Sequence, residues 1–275
     1  MRLNAPPVSS DLRWRMRGSS RTVAAKTGNG WRIALSAPDG VIPKVIHYCQ
    51  YGNRGLSPIG ESCLNSWRGS LPDFELKVWN EGEGFGGSPY AEAAMRAGKY
   101  AFVADYMRCA ALYTHGGVYL DTDVEVLRSL TPLLGRPMFL GYEAPGLVGT
   151  AVIGAAPGHP LLRRIMDRLD DEARAGRISY RPGPELITEE LRHFGADQVT
   201  LFPEEYFYPY NPHTSVAVRK KPLVSNMTEN TYCVHQWEGS WLGDASLRML
   251  VGLRISHTLR NARKFLAGEK TPMPR

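Results

Sequence analysis

The sequence predicts an α/β fold with a mostly parallel central sheet and flanking helices. Three observations carry that expectation. Short runs rich in β-branched and aromatic residues alternate with longer stretches whose apolar residues recur at helical spacing, the pattern of strand–helix–strand units. The Gly116-Gly117 pair joins one such helix directly to an apolar run, "GGVYLDTDVEVL". The 275 residues, 43% hydrophobic and 22% charged, suit one sizeable domain, with or without an appended lobe.

The elements follow in order. Residues 1–40 are rich in Arg, Ser, Gly and Pro without steady periodicity, and disorder is expected there. Order begins at "VIPKVIHYCQYG", a short buried strand with Pro43 near its start, where a missing N–H is tolerated. "SPIGESCLNSW" reads as a first helix and "FELKVW" as a second strand, followed by the glycine-rich loop "NEGEGFGGSPY". Residues 89–115 read as two helices, the second with Phe102, Val103, Tyr106, Ala110 and Tyr113 on an apolar face. "GGVYLDTDVEVL", "PMFLGYE" and "GTAVIGA" are strands, then "HPLLRRIMDRLDDEARA" is an amphipathic helix. "GPELITEELRHF" opens another helix, with Pro184 suited to its first turn. "VTLFPEEYFYP" and "NTYCVHQW" read as late strands, and 245–267 as a final basic helix. The expected organisation is a basic segment over 1–40, a folded body over 41–244, and a basic helix and tail over 245–275.

Charge is uneven. Residues 1–40 carry seven Lys/Arg against two acids and residues 245–275 seven against one, whereas the body carries nineteen against twenty-four. The pI near 9.2 belongs to the ends. No basic stripe crosses the middle, so no nucleic-acid partner is expected. Basic ends suit an anionic membrane surface, at roughly 1 kcal/mol per well-placed cation. No apolar run approaches the roughly 18 residues of a membrane span, and the N-terminus has no apolar signal core. The expected location is cytoplasmic, with peripheral contact at the inner face of the membrane. Cys49, Cys63, Cys109 and Cys233 form no CxxC pair, so buried thiols are expected rather than a zinc site or disulfide framework.

The chemistry concentrates in "FVADYMRCAALYTHGGVYLDTDVEVL". On a strand, residues two apart share a face, so Tyr119, Asp121, Asp123 and Glu125 face one way, and Val118, Leu120, Thr122 and Val124 the other. Two like charges side by side repel, but at a strand end they suit a hard divalent cation with phosphate oxygens as co-ligands. Ligands in α/β sheets sit at the carboxyl ends of strands. Asp105 and Arg108, spaced i, i+3, share a helix face just upstream. One short unit thus delivers a carboxylate, a guanidinium and two further carboxylates to neighbouring positions.

These residues, with "IPKVIHYCQYG", "NSW", "LPDFELKVWNE" and the late "HQWEGSW", resemble the DXD-containing glycosyltransferase sugar-binding family. That family is related to the yeast initiation-specific α-1,6-mannosyltransferase, to bacterial capsular and lipopolysaccharide glycosyltransferases, and to the catalytic core of the large clostridial glucosylating toxins. The resemblance covers roughly residues 41–245. It implies a glycosyltransferase-A, Rossmann-like fold, a nucleotide-sugar donor such as a UDP- or GDP-sugar, Mn²⁺ or Mg²⁺, and retention of anomeric configuration. The implied acceptor is a saccharide or glycolipid, in surface polysaccharide synthesis.

Carried over, Asp123 would bind the metal that bridges the donor diphosphate, and Asp121 the donor ribose or the metal through water. Asp105 and Arg108 would contact the transferred sugar and diphosphate. His235, Ser240 and Trp241 match the family's second metal-and-phosphate loop. Relatives have a tryptophan stacked on the donor base where this chain has Gln50; Tyr48 or Tyr51 would take its place. Gly183, at the start of the "GPELIT" helix, places N–H groups where phosphate or sugar could meet them.

Beside these stand plainer readings. Trp67, Trp79 and His47 are expected in the core, His115 at a helix end, and Tyr206, Phe207 and Tyr208 in packing or along an acceptor groove. Two rival functions remain open. A metal-dependent phosphoesterase would need further acidic or His ligands, for which Glu125 is the nearby acidic residue. A nucleotide-sugar-binding module would bind donor without turnover.

Overall fold

The computed structural model describes residues 40–52, 55–212 and 226–238. The segment expected to be disordered before Gly40, the basic helix over 245–267, Ser240 and Trp241 lie outside the described residues. In chain order the elements are β1 (Val45–Cys49), α1 (Pro58–Ser70), β2 (Glu75–Trp79), α2 (Pro89–Arg96), α3 (Tyr100–His115), β3 (Gly117–Leu120) and β4 (Val124–Val126). Then come β5 (Met138–Ala144), β6 (Leu147–Val148), β7 (Val152–Ala155), α4 (Pro160–Arg174), α5 (Gly183–Leu191), β8 (Thr200–Phe202) and β9 (Cys233–His235).

Local chemistry accounts for most boundaries. Helices α1, α2 and α4 start on a hydrogen-bonding residue followed by proline: Ser57-Pro58, Ser88-Pro89 and His159-Pro160. The Ser57 and Ser88 hydroxyls accept from Gly60 and Ala91 N–H, and the His159 ring accepts from Leu161 N–H. Strand β8 stops at Phe202 because Pro203 has no N–H to offer, and Glu204–Tyr206 follow as a single 3₁₀ turn rather than further strand.

Hydrogen bonding sets the sheet order β2-β1-β3-β7-β5-β6, with β8 also on β5. Strand β1 is parallel to β2 and β3, β7 is antiparallel to β3 and β5, β6 is antiparallel to β5, and β8 is parallel to β5. Five strands (β1, β2, β3, β5 and β8) thus run one way, the mostly parallel sheet expected. Alternation along the strands feeds two cores. Tyr119, Leu140 and Ile153 join Val103, Met107, Leu112, Leu161 and Leu186 of the helical face. Val118, Leu120, Phe139 and Val152 join Leu64, Trp67, Phe74 and Phe207 on the other.

The helix-to-strand junction is built as the Gly-Gly pair suggested. Gly116 caps α3 at φ +64 and Gly117 opens β3 at φ +111, backbone shapes that side-chain-bearing residues rarely adopt. Space forbids a side chain as well: a Cβ on Gly116 would lie 2.6 Å from Pro157, and one on Gly117 2.5 Å from the Val45 carbonyl. His47 braces this corner. Trp79 Nε1–H donates to its Nδ1 at 3.1 Å, so Nε2 carries the proton and donates to the Gly116 carbonyl at 2.8 Å. His47 and Trp79 are core residues, as is Trp67, which donates to the Val124 carbonyl at 2.7 Å.

One expectation is corrected. The strand does not run through the aspartate pair. Asp121 N–H continues the ladder to Ala151 O at 2.9 Å, but Val124 N–H turns back onto Asp121 O at 3.0 Å. Strand β4 then leaves the main sheet to pair antiparallel with β9. The predicted alternation therefore holds for Val118–Leu120 and breaks at a turn formed by Asp121, Thr122 and Asp123. A turn suits two neighbouring carboxylates better than adjacent places on one strand face, where like charges repel. Among the described residues no helix is long and apolar enough to cross a membrane.

Candidate functional site

The site lies at the carboxyl edge of the central strands. Asp105 and Arg108 enter from α3, Asp121 and Asp123 from the turn after β3, and His235 from the end of β9. The β4–β9 register, Val124 opposite His235, brings the histidine beside Asp123. Asp121, Asp123 and His235 each offer one donor atom, all within 4.8 Å of one another.

Arg108 is the hub on the helix side. Its side chain is 7% exposed and reaches Asp105 at 3.0 Å, Asp121 at 3.4 Å and the Thr150 carbonyl at 2.7 Å. It lies 4.7 Å over the Tyr119 ring, whose hydroxyl donates to Asp121 at 2.9 Å. Burial alone would lower the pKa of Arg108; the charges of Asp121, Tyr119 and Asp105 raise it well above its ordinary value. Burial pushes Asp105 up to about 6, opposed by Arg108, reinforced by Asp121 and offset by the N–H of Gly183. Gly183 thus meets a carboxylate, that of Asp105 on α3, at the start of a helix with no side-chain cap of its own. A Cβ on Gly183 would lie 2.7 Å from the Asp105 carboxylate, so the close approach needs glycine. Asp105, Arg108 and Gly183 border a cavity of about 20 Å³, room for one water.

Asp123 is the other fixed point. It accepts from Glu238 N–H at 2.9 Å and lies 3.2 Å from His235 Nε2. Burial would raise its pKa, but the His235 charge and hydrogen bond and the Glu238 N–H hold it below the usual carboxylate range. The converse holds at His235: burial would lower its pKa, but Asp123, Asp121 and Glu143 raise it. His235 Nδ1 is buried and without a partner among the described residues. Two carboxylates with one imidazole fit a divalent ion of the Mn²⁺ kind.

Tyr48 and Tyr51 flank Gln50 at the end of β1. The Tyr48 ring meets Trp67 edge-on at 5.5 Å, packed on the core. Tyr51 packs 6.0 Å from Phe85, and its buried hydroxyl has no partner among the described residues. Phe207 and Tyr208 are buried, Tyr208 with its ring 5.8 Å from His235, so packing rather than a groove is their role. Ser240 and Trp241 lie outside the described residues.

Three site residues escaped the sequence reading. Thr150 serves through its carbonyl, which no side-chain pattern reveals. Glu238 cements Asp123 through its N–H and holds the Ser57 hydroxyl at 2.8 Å, tying this loop to the start of α1. Glu143 is a buried carboxyl in an otherwise apolar strand, pushed by burial up to about 7; His235 and Arg108 oppose the shift and Asp121 adds to it. That lone acid in "FLGYEA" was the signal available. Glu125, the nearby acid, is directed elsewhere and accepts from Gln236 at 3.0 Å.

Comparison with known proteins bears on this arrangement. Residues 60–140 match the family of glycosyltransferase sugar-binding regions containing the DXD motif. The chain is 31% identical over 136 residues to inositol phosphoceramide mannosyltransferase 3 of Schizosaccharomyces pombe, covering 46% of this chain and 37% of that protein. It is 27% identical over 187 residues to lactosylceramide 4-alpha-galactosyltransferase of Mus musculus, covering 61% and 51%. It is 32% identical over 89 residues to human alpha-1,4-N-acetylglucosaminyltransferase, covering 32% and 25%. The match therefore spans about half the length of these relatives or less. Among solved structures, PaToxG glycosyltransferase aligns at a TM-score of 0.47 and 16% identity, over 56% of this chain and 69% of that one.

Proposed function

From a chain that carries the DXD-containing sugar-binding region of the glycosyltransferases, we propose a metal-dependent glycosyltransferase that moves a sugar from a nucleotide-sugar donor to a lipid-linked saccharide or saccharide acceptor, with retention of configuration. The observation that carries the reading is the meeting of Asp121, Asp123 and His235 beside the buried Arg108, at the edge of the sheet. In this reading Asp121, Asp123 and His235 would hold the ion, which would supply positive charge to offset the negative charge of the diphosphate leaving group. Arg108 adds a fixed cation that needs no reorganisation as charge develops there. Asp105 orients Arg108, and the Tyr119 hydroxyl orients Asp121. The relatives named for inositol phosphoceramide and lactosylceramide favour a glycolipid acceptor, and a place in surface polysaccharide synthesis belongs to the same proposal.

Among the described residues one such cluster is found, and Glu125 is engaged by Gln236; both weigh against a two-metal phosphoesterase. The test is donor cleavage across UDP-, GDP- and dTDP-sugars, with Mn²⁺ and with EDTA. Release of nucleoside diphosphate from one base class, abolished by EDTA and reduced ~10³-fold in Asp123→Ala, is the expected result. Tight binding of a nucleotide sugar with no release, even with glycolipid acceptor added, would favour the binding module instead.

A further inference from the structure

Glu143 stands next to the end of β5 at 8% exposure, and among the described residues its carboxylate accepts no hydrogen bond and joins no ion pair. The neighbouring acids differ. Asp105 has Arg108 and Gly183, Asp123 has His235 and Glu238, and Glu125 has Gln236. The Glu143 oxygens are not among the fully enclosed unpaired atoms of the described residues, so the carboxylate keeps an opening to solvent at the edge of the site.

Its surroundings say what it faces. The register of β5 on β6 shifts between Tyr142 and Ala144, so Glu143 sits in a bulge, a device that re-aims a side chain at a sheet rim. Its charge acts on Tyr208, whose ring lies 5.8 Å from His235. Strands β3 and β5 run in the same direction with β7 between them, so Asp121 and Glu143 emerge at one edge of the sheet. Glu143 is nonetheless not among the three residues whose donor atoms converge within 4.8 Å. It borders the metal-ligand cluster without belonging to it. A carboxylate there repels a diphosphate. The half of the donor it can favour is the sugar, through its hydroxyls and through the positive charge that grows at the anomeric carbon as the leaving group departs.

Resting on the glycosyltransferase reading, we propose that Glu143 is a catalytic residue whose carboxylate lies against the transferred sugar and stabilises the cationic anomeric carbon in the transition state. In that step the bond from the anomeric carbon to the diphosphate oxygen breaks, and its electron pair leaves with the nucleoside diphosphate. The acceptor hydroxyl oxygen bonds to the anomeric carbon and passes its proton to the departing diphosphate. Glu143 forms no bond itself.

The experiment uses the full chain with Mn²⁺ and compares wild type, Glu143→Gln and Glu143→Ala. Calorimetry measures binding of UDP against UDP-glucose and of GDP against GDP-mannose, and nucleoside diphosphate release measures turnover. Both variants are expected to bind the free nucleotide within twofold of wild type. Glu143→Ala should lose fivefold or more in affinity for the sugar-bearing ligand alone. Glu143→Gln, whose amide retains the shape, should bind it within a fewfold and lose about 100-fold or more in turnover. Turnover of Glu143→Gln within threefold of wild type overturns the proposal. So does an equal loss of free-nucleotide affinity, which would put Glu143 on the phosphate side, or unchanged affinity for every ligand in Glu143→Ala. A wild type that binds neither nucleotide class defeats the glycosyltransferase reading and this inference with it; a wild type that turns over beside an equally active Glu143→Gln defeats this inference alone. Thermal melts confirm that each variant is folded before it is scored.

Discussion

His47, midway along β1, and His235, at the end of β9, are both shielded histidines, and they are opposites in what their nitrogens do. His47 is fully buried with both nitrogens paired, one receiving Trp79 and one giving to Gly116. Burial, with the nearby His115 and Lys77, lowers its pKa to about 3 despite the Gly116 bond, so it is neutral at every ordinary pH. His235 has one nitrogen against Asp123 and one without a partner, and acids on several sides raise its pKa. The first ring is a brace, the second a ligand in waiting. What separates them is the count of partners, the sign of the surrounding charge and the degree of burial, His47 being fully buried and the His235 side chain 13% exposed.

Removing each ring should break the comparison in opposite directions. His47→Ala leaves the Trp79 N–H and the Gly116 carbonyl unpaired around a cavity, and a loss of about 3–5 kcal/mol in urea unfolding is expected. His235→Ala should leave the urea midpoint near wild type and lower metal-dependent donor cleavage about 100-fold, or about 2.7 kcal/mol of transition-state stabilisation. A destabilised His235→Ala with normal metal dependence would erase the distinction.

Acid sharpens it further. The folded pKa of His47 lies near 3 and the unfolded value near 6.5, so between them the unfolded chain binds the extra proton. Stability is therefore present above pH ~6.5 and lost as pH falls below it, by about 2 kcal/mol from His47 alone at pH 5. Urea titrations at pH 7 and pH 5 measure this, and His47→Gln should flatten the slope. The smallest effect is expected at Trp67→Phe, which removes one bond to the Val124 carbonyl beside the aspartate turn. It should cost about 1–2 kcal/mol in stability, with donor cleavage changed less than threefold.

The two histidines also mark how far the sequence could be read. His47 sits in an apolar run with Trp79 due on the neighbouring strand, and its core role followed from pattern alone. The α3–Gly116–Gly117–β3 junction was equally legible, because a glycine pair after a periodic helix states a backbone requirement within a few residues. Asp105 and Arg108 were placed together by helical spacing, and the structure joins them at 3.0 Å. The break at Asp121 was not legible. It depends on β4 finding β9, about 110 residues further on, and no local pattern announces a strand changing sheets. The Gly183–Asp105 bond, the Ser57–Glu238 tie and the placing of Glu143 share that long-range origin.

The sequence by itself determined the alternation of strands and helices, the helix caps, the glycine corner and the stock of acids, cations and imidazoles. Each of those follows from interactions within a turn or two of chain. Only the tertiary structure decided which members of that stock meet across elements: Asp123 with His235, Arg108 with Asp121, and Glu143 beside them. The physical reason is that a site is a set of pairings across the sheet edge, fixed by register and strand direction, and those are settled by burial of the whole core rather than by any one segment.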